Sequence, residues 1–357
     1  MNRKTLVLVA LALLVGATSA FAQTRAFQNM GAGKAMDVSA DGTLVGGNDG
    51  SGGYLANNGV KTVYGGSVAG VEYVGGVPTA VGSSGGAAIG QAGAWSALPL
   101  AGGTTAWTPT GIGVGASDYW VSGTGGSAAS LYTNSAGTTA VVGGPAVNTG
   151  SRLTEVSNTG AYAGAANYTG NAWNAYYGSP NAWLNTDAGS AGPGVQGEAY
   201  SISSDGQVKV GWGWAADGGW TATYWDNADG NVPHLLPQFR STIDDYWWTE
   251  ATACNADGSF IGALSIPSSM QEVAWVWDAT NGRRSVESWL VNEMGVASSE
   301  ISGWVFEHIT GISDDGLSMC GWGLYNGVET GWSYSVVPEP ATMMLLGIGG
   351  LLLRRRR

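Results

Sequence analysis

A short recurring unit constrains the fold of this chain more than any other feature. In its clearest copies an apolar residue and a small polar residue precede Asp-Gly, which is followed by an apolar pair and a further glycine. Asp-Gly between alternating segments is a strong hairpin signal, because glycine tolerates the positive φ that such turns require. Each copy therefore predicts a strand, a two-residue turn and a second strand. The four clearest turns are Asp41-Gly42, Asp205-Gly206, Asp257-Gly258 and Asp315-Gly316.

Three weaker copies extend the series. Thr154 to Ala166 keeps the frame with Asn158-Thr159-Gly160 in the turn, whereas Tyr73 to Gly82 and Val114 to Gly123 lack Asp-Gly. Successive copies lie 36 residues apart near the start of the chain and 58 apart near its end. An increase in the spacing between copies is typical of surface loops that are inserted into a repeat of constant core. The series predicts about seven units.

Each hairpin is followed by a second signature, an aromatic strand that runs into a polar turn. The unit then closes with a short apolar stretch, such as Val232 to Leu236. Four short strands per unit are typical of a propeller blade. We therefore predict an all-β fold with residues 23–335 forming a β-propeller of about seven four-stranded blades; a β-solenoid or a β-sandwich is the alternative. The aromatic strands begin at Gly53, Ala94, Leu131, Ala182, Thr223, Ala274 and Gly331.

Composition separates this chain from disordered low-complexity sequences. It has 60 glycines, but also 17 tryptophans and 14 tyrosines. Disordered segments are poor in aromatic residues, so these side chains indicate a packed fold. The net charge of −12 becomes more negative without the basic residues at the two ends. Nucleic acid and anionic lipid surfaces are therefore excluded as partners of the body.

The amino-terminal residues predict export. Arg3 and Lys4 precede an apolar stretch, and the triplet Ala20-Phe21-Ala22 follows it. This is the pattern of a secretory signal peptide, and its apolar stretch is too short for a membrane anchor. We assign residues 1–22 to a signal helix with cleavage before Gln23.

The carboxyl terminus has three parts in order: Pro338-Glu339-Pro340, an apolar segment at 341–353, and a cluster of arginines. This tail, residues 336–357, resembles the sorting tail of bacterial PEP-CTERM proteins. The resemblance implies a short hydrophobic helix, recognition and removal by an exosortase-type membrane peptidase, and delivery to the cell surface or extracellular matrix. A retained C-terminal anchor is the alternative, and membrane contact is expected only through the terminal segments. The basic cluster comprises Arg354, Arg355, Arg356 and Arg357.

The repeat itself is similar to the extracellular HAF-type repeat of exported bacterial proteins. That similarity implies fold and location, and it carries over no catalytic residues. Cys254 and Cys320 could form one bridge or remain free, since a pair of cysteines does not define a disulfide scaffold. His234 and His308 lack the nearby ligands that a zinc site needs, so we predict neither metal nor cofactor.

Two groups of residues carry the functional hypotheses. Interleaved aromatic residues could stack on sugar rings, although packing between blades is the simpler role for most of them. They predict a non-catalytic surface or matrix protein that binds exopolysaccharide or another surface protein. The alternative is a secreted carbohydrate-active hydrolase or lyase that uses Asp244, Asp245 and Glu250, acids that lie beside aromatic residues. The candidate ligand-binding aromatic residues are Trp173, Tyr176, Tyr177, Trp183, Trp212, Trp214 and Trp220.

Overall fold

A computed structural model describes most of the body of the chain. The residues it describes are 24–103, 105–125, 128–142, 150–168, 172–178, 182–184, 196–216, 219–237, 246–267 and 271–337. Phe27–Ser335 is one compact unit, and the terminal segments Met1–Ala26 and Val336–Arg357 fall outside it. The assigned signal peptide and most of the sorting tail therefore lie outside the described residues.

Short antiparallel strands follow one another in groups of four, as the repeat predicts. Each group is one blade, in which each strand pairs with the next along the chain. The strands of blades 1 to 4 are β1 (Thr24–Val38), β2 (Leu44–Asp49), β3 (Gly52–Asn57), β4 (Val60–Tyr64), β5 (Ser67–Val74), β6 (Val77–Ser83), β7 (Ala87–Gln91), β8 (Ala94–Ala97), β9 (Thr108–Val114), β10 (Tyr119–Gly125), β11 (Ala128–Thr133), β12 (Thr138–Val141), β13 (Gly150–Val156), β14 (Tyr162–Tyr168), β15 (Ala172–Gly178) and β16 (Ala182–Trp183).

The remaining strands form blades 5 to 7. They are β17 (Gly197–Ile202), β18 (Val208–Trp214), β19 (Trp220–Asp226), β20 (Pro233–Leu235), β21 (Tyr246–Cys254), β22 (Phe260–Pro267), β23 (Val273–Asp278), β24 (Gly282–Ser285), β25 (Trp304–Ile312), β26 (Met319–Tyr325) and β27 (Val328–Val337). A 3-10 helix (Asn227–Asp229) precedes β20, and α1 (Val286–Asn292) joins blades 6 and 7. The predicted all-β, propeller-like fold is confirmed.

The first strand closes the ring. β1 pairs with β2 through Gly33–Val38 and is also hydrogen-bonded to β27, so it completes the last blade as well as starting the first. The Phe27 ring packs edge-on against Trp304 and Phe306 of blade 7, with centroids 5.5 and 6.0 Å away. The first and last strands of the propeller thereby lie side by side in one sheet.

The Asp-Gly turns are confirmed in glycine conformation but are longer than predicted. Gly42 has φ 75°, and its N–H donates to Ser39 O at 2.8 Å, so the turn spans Ser39 to Gly42. Asp41 accepts hydrogen bonds from Ser39 Oγ and Thr43 N–H at 2.7 and 3.0 Å. The aspartate is therefore a turn-stabilising acceptor. A true two-residue turn occurs instead in the second copy, at Gly75-Gly76, between β5 and β6.

Two aromatic signatures were assigned to the wrong strand of their blades. The segments starting at Ala94 and Ala182 form the outermost strands β8 and β16, not the third strands. In blade 4 the third strand is β15. The third strand β7 of blade 2 begins with two alanines, which have low β propensity and weaken its strand signal.

Every innermost strand carries one equivalent β-bulge, in addition to a second bulge nearer the start of β21 and of β25, and the seven equivalent bulged residues surround the propeller axis. Four of them are threonines whose hydroxyls donate to the innermost strand of the next blade. Thr154 Oγ1, for example, donates to Ala199 O at 2.7 Å, and Thr310 Oγ1 to Ala35 O at 2.9 Å. The bulges thus place hydroxyl groups that hydrogen-bond neighbouring blades to each other.

We expect Thr154→Val to lower the free energy of unfolding by about 1 kcal/mol, because a hydroxyl donor to a buried carbonyl is lost at nearly constant volume. Thr252→Val should have a similar effect. Chemical denaturation of the tail-free body measures both values. Thr62→Val, on the exposed outer strand β4, is the matched control and should change stability by less than half as much.

Aromatic side chains fill the spaces between blades, as the composition predicts. Trp225, Trp275 and Trp332 are fully buried. Helix α1 was not predicted, although Ser285 caps it and its buried residues Val286, Trp289 and Leu290 follow helical spacing. Cys254 and Cys320 are both free and buried, so the possible bridge between them is absent.

Candidate functional site

The seven innermost strands surround a central channel. The end of this channel where the strands begin opens into a cavity of about 430 Å³. The seven bulged residues line it, and Tyr200 of blade 5 is the largest of them. Glu250, on β21, and His308, on β25, reach the same cavity. This end of the channel therefore combines a ring of backbone bulges with several ionisable side chains.

A second, smaller cavity adjoins it between blades 4 and 5 and shares Tyr200 with it. Its volume is about 190 Å³. We call it the tryptophan pocket. It is lined by Arg152, Trp173, Gln196, Glu198, Tyr200, Trp212 and Trp220.

An ion pair forms the polar part of the tryptophan pocket. Arg152, on β13, bonds to the carboxylate of Glu198 on β17, so the pair bridges blades 4 and 5. The guanidinium also lies over the Trp173 ring, 4.8 Å from its centroid. Glu198 is only 5% exposed, whereas the Arg152 side chain is 38% exposed. Arginine is well suited to such a position, since its planar cation can pair with a carboxylate and stack on an indole together.

Trp212 and Trp220 line the pocket as part of a stack of three indole rings. Trp220 stacks on Trp212 with centroids 4.2 Å apart and on Trp248 with centroids 4.9 Å apart. Trp220 and Trp248 are also the residues at which β19 and β21 pair in parallel, joining blades 5 and 6. The stack is therefore rigid, because strand pairing and ring stacking fix the same residues.

Two buried side chains, Glu250 and Tyr200, connect the two cavities. Burial, with repulsion from Glu198 as the next cause, raises the pKa of Glu250 to about 7. Tyr200 bonds to Glu250 and accepts a hydrogen bond from Trp212 Nε1 at 3.2 Å. Burial also raises the pKa of Tyr200, so its hydroxyl stays protonated at neutral pH. The tyrosine thus links the indole stack to the carboxyl group at the channel mouth.

Carboxyl groups also occupy the deeper part of the channel. Asp37 and Glu155 line a cavity of about 70 Å³ near the turns between the first and second strands. A Cβ added at Gly111, at the equivalent position of blade 3, would overlap the Glu155 carboxylate. Burial raises the pKa of Asp37 to about 8 and that of Glu155 well above its usual range, and repulsion from Asp37 adds to the shift of the Glu155 pKa.

The structure brings together three of the seven candidate aromatic residues: Trp173, Trp212 and Trp220. Tyr176 is fully buried in the core of blade 4, where Trp183 packs against the same cluster. Tyr177 packs against the next core cluster, and Trp214 is half-buried at the end of β18. Neither lines the tryptophan pocket. These four side chains pack within and between blades, which is the simpler of the two roles considered for them.

The proposed acid group is only partly described. Asp244 and Asp245 lie outside the described residues, whereas Glu250 stands at the channel mouth. Arg152 and Glu198 were not predicted, and their only signal was their equivalent place two residues before the bulged residue of their strands. His308, which the sequence does not predict to bind zinc, stacks on Trp322 and contacts Glu272 at the same end of the channel.

One comparison identifies the end of the chain. Residues 336–357 match the PEP-CTERM protein-sorting motif. This confirms the assignment of the tail that contains Pro338, Glu339, Pro340 and the terminal arginines, and it marks an exported protein that is sorted by an exosortase-type membrane peptidase. A search of curated protein sequences gave no match. The resemblance to HAF-type repeats stays a prediction.

Solved structures share the fold. Oligogalacturonate lyase in complex with manganese aligns with a TM-score of 0.53 and 10% identity, over 88% of this chain and 98% of its own. The extracellular domain of the one component system BT4673 from B. thetaiotaomicron aligns with a TM-score of 0.50 and 11% identity, over 87% of this chain. This chain spans 40% of the length of that domain. At such identities the likeness shows the fold alone.

Neither a metal cluster nor a membrane-spanning helix is seen in the described part of the chain. No three His, Cys, Asp or Glu side chains there are placed to hold a metal ion. No described helix has the length and apolar character needed to cross a bilayer.

Proposed function

We propose that this exported propeller is a non-catalytic protein of the cell surface or extracellular matrix that binds polysaccharide in the tryptophan pocket. The observation that carries the proposal is the convergence of three tryptophans and an arginine–glutamate pair on one cavity. All five side chains come from strands of the neighbouring blades 4 and 5, and the propeller holds them rigidly.

The chemistry of the pocket suits a sugar ring. The Trp173 ring and the edges of the Trp212–Trp220 stack provide apolar area for the C–H face of a sugar, and planar charged groups bond to pairs of hydroxyls. The volume of about 190 Å³ is below the roughly 300–1,000 Å³ of pockets for drug-sized ligands. One sugar unit is an appropriate occupant, and the adjoining cavity of about 430 Å³ leaves room for the chain to continue past Tyr200.

The sorting motif supports the location of this activity. A protein delivered to the outer surface by a PEP-CTERM tail meets the extracellular polysaccharides of its own cell. We propose that the exosortase-type peptidase removes the tail at or near Pro338-Glu339-Pro340. Mass spectrometry of the mature C-terminus tests this, and a retained Arg357 would support a permanent anchor instead.

Affinity electrophoresis of the tail-free body in gels that contain single polysaccharides tests the binding function. We expect retardation by at least one polymer, and we expect Trp173→Ala to weaken it about tenfold or more by removing one wall of the pocket. Trp95→Ala is the matched control. Trp95 is a half-buried tryptophan of blade 2, on the outer strand β8.

Retardation by no polysaccharide, or equal retardation of wild type and Trp173→Ala, would contradict the proposal. Binding to another surface protein in place of polysaccharide would also contradict it. The control variant separates loss of the site from general damage to the fold.

A secreted carbohydrate-active hydrolase or lyase is the second candidate, favoured by one observation. Glu250 stands at the channel mouth with a pKa raised by burial to about 7, a value suited to a general acid or base. Release of reducing ends or unsaturated products from the polymers that bind would support this candidate. Glu250→Gln should then abolish release and leave binding intact, whereas the non-catalytic proposal expects no release by wild type.

A further inference from the structure

We infer that the tryptophan pocket selects neutral sugars and rejects uronic acids and other anionic sugars. This inference rests on the proposed polysaccharide binding and adds the chemical class of the ligand. It follows from where the charges of the pocket lie and from how each is already compensated.

The cation of the pocket is already paired. Among the described residues that line it, Arg152 is the one basic side chain. Its guanidinium bonds to the carboxylate of Glu198 and lies over Trp173. A sugar carboxylate would have to displace Glu198, which is 5% exposed and held within β17. The displaced carboxylate would then remain in a poorly hydrated site without its partner, which is costly.

Further negative groups lie behind the ion pair. Glu250 is close enough to Glu198 for the two to repel each other, and Glu272 adds to the same potential. A sugar carboxylate would meet this accumulated negative potential, and the net charge of −12 for the whole chain acts in the same direction.

Groups for neutral hydroxyls are present in the same cavity. Gln196 and Tyr200 line it beside the ion pair, and the edges of the guanidinium and the carboxylate provide both donors and acceptors. A hydroxyl can bond to such groups without disturbing the Arg152–Glu198 pair. The site is therefore already balanced in charge for a neutral ligand.

Isothermal titration with matched polymers tests the inference. The neutral probes are a β-glucan and a galactomannan, and the anionic probes are alginate and polygalacturonate. We expect the tail-free body to bind one of the neutral polymers at least tenfold more tightly than either anionic polymer in low salt. Added salt should weaken the rejection of the anionic polymers and leave neutral binding almost unchanged.

Glu198→Gln provides a gain-of-binding test. The change keeps the shape of the side chain, removes its negative charge and leaves the Arg152 cation available. We expect the preference for neutral polymers to fall about tenfold through tighter binding of polygalacturonate or alginate. Glu287→Gln, an exposed glutamate on α1, is the charge-matched control and should leave the preference unchanged. Glu250→Gln should shift the preference in the same direction. It replaces Glu198→Gln in this test if that variant does not fold.

The outcomes distinguish the inference from the proposed function. Binding to no polymer would overturn both. Binding of alginate or polygalacturonate as tight as that of the neutral polymers would overturn the inference alone. A neutral preference that persists unchanged in both Glu198→Gln and Glu250→Gln would show that these charges do not cause it, and it would also overturn the inference.

Discussion

A variant that begins at Met30, and so lacks the first part of β1, is expected to lose the stable folded state of the propeller. This segment adds β1 to blade 7 beside β27, and its Phe27 ring packs on Trp304 and Phe306. Burial of a phenylalanine contributes about 1.5–3 kcal/mol, and each net hydrogen bond contributes about 1 kcal/mol. The total loss is on the order of 5 kcal/mol, which is comparable with the whole stability of many domains.

Thermal unfolding followed by circular dichroism measures the effect of this truncation. A synthetic peptide of residues 23–31 should restore the transition in trans, because the missing strand can add again to the exposed edge of β27. A scrambled peptide of the same composition is the control. A truncated protein that unfolds at the wild-type temperature would contradict the closure of the ring by β1.

The unfolding temperature of the intact body is expected to fall by several degrees as the pH rises from 5 to 8.5. In the unfolded chain Asp37 and Glu155 ionise near pH 4. Burial in the channel raises their pKa values, to about 8 for Asp37, so the folded state keeps their protons through most of this range. The folded state therefore binds more protons than the unfolded state, and its stability falls as the pH rises toward the folded pKa.

The double variant Asp37→Asn with Glu155→Gln should flatten this pH dependence, because neither new side chain ionises. Asp257→Asn is the matched control, since Ser259 holds the pKa of Asp257 below its usual range and its contribution is lost only in more acidic solution. A wild-type unfolding temperature that stays constant or rises between pH 5 and 8.5 would show that the two channel carboxyls are ionised in the fold.

Local patterns predicted most of the fold. The turn glycines at 42, 160, 206, 258 and 316 all adopt positive φ, as their place in the repeat requires. The second and third copies were harder to place because Gly75-Gly76 and the loop before Tyr119 replace the usual Asp-Gly turn. Closure of the ring was not predicted, since pairing between β1 and β27 joins segments about 300 residues apart and leaves no local pattern.

The site was predictable only in part for a related reason. The tryptophan-rich segments pointed to Trp173, Trp212 and Trp220, because clustered aromatic residues are visible in sequence. Arg152 and Glu198 belong to different blades and form a pair only after those blades pack together. Tyr176 and Trp183 have the same local pattern as Trp173 but point into the core cluster of blade 4. Successive side chains of a strand point to opposite faces, so which of them are buried depends on which face packs against the next blade.

The most direct measurement of the central claim is a crystal structure of the tail-free body with a neutral oligosaccharide derived from the polymer that it binds. The account predicts a sugar ring between Trp173 and the Trp212–Trp220 stack, with hydroxyls bonded to the intact Arg152–Glu198 pair. A sugar seated on another surface of the propeller, with the tryptophan pocket empty, would contradict it.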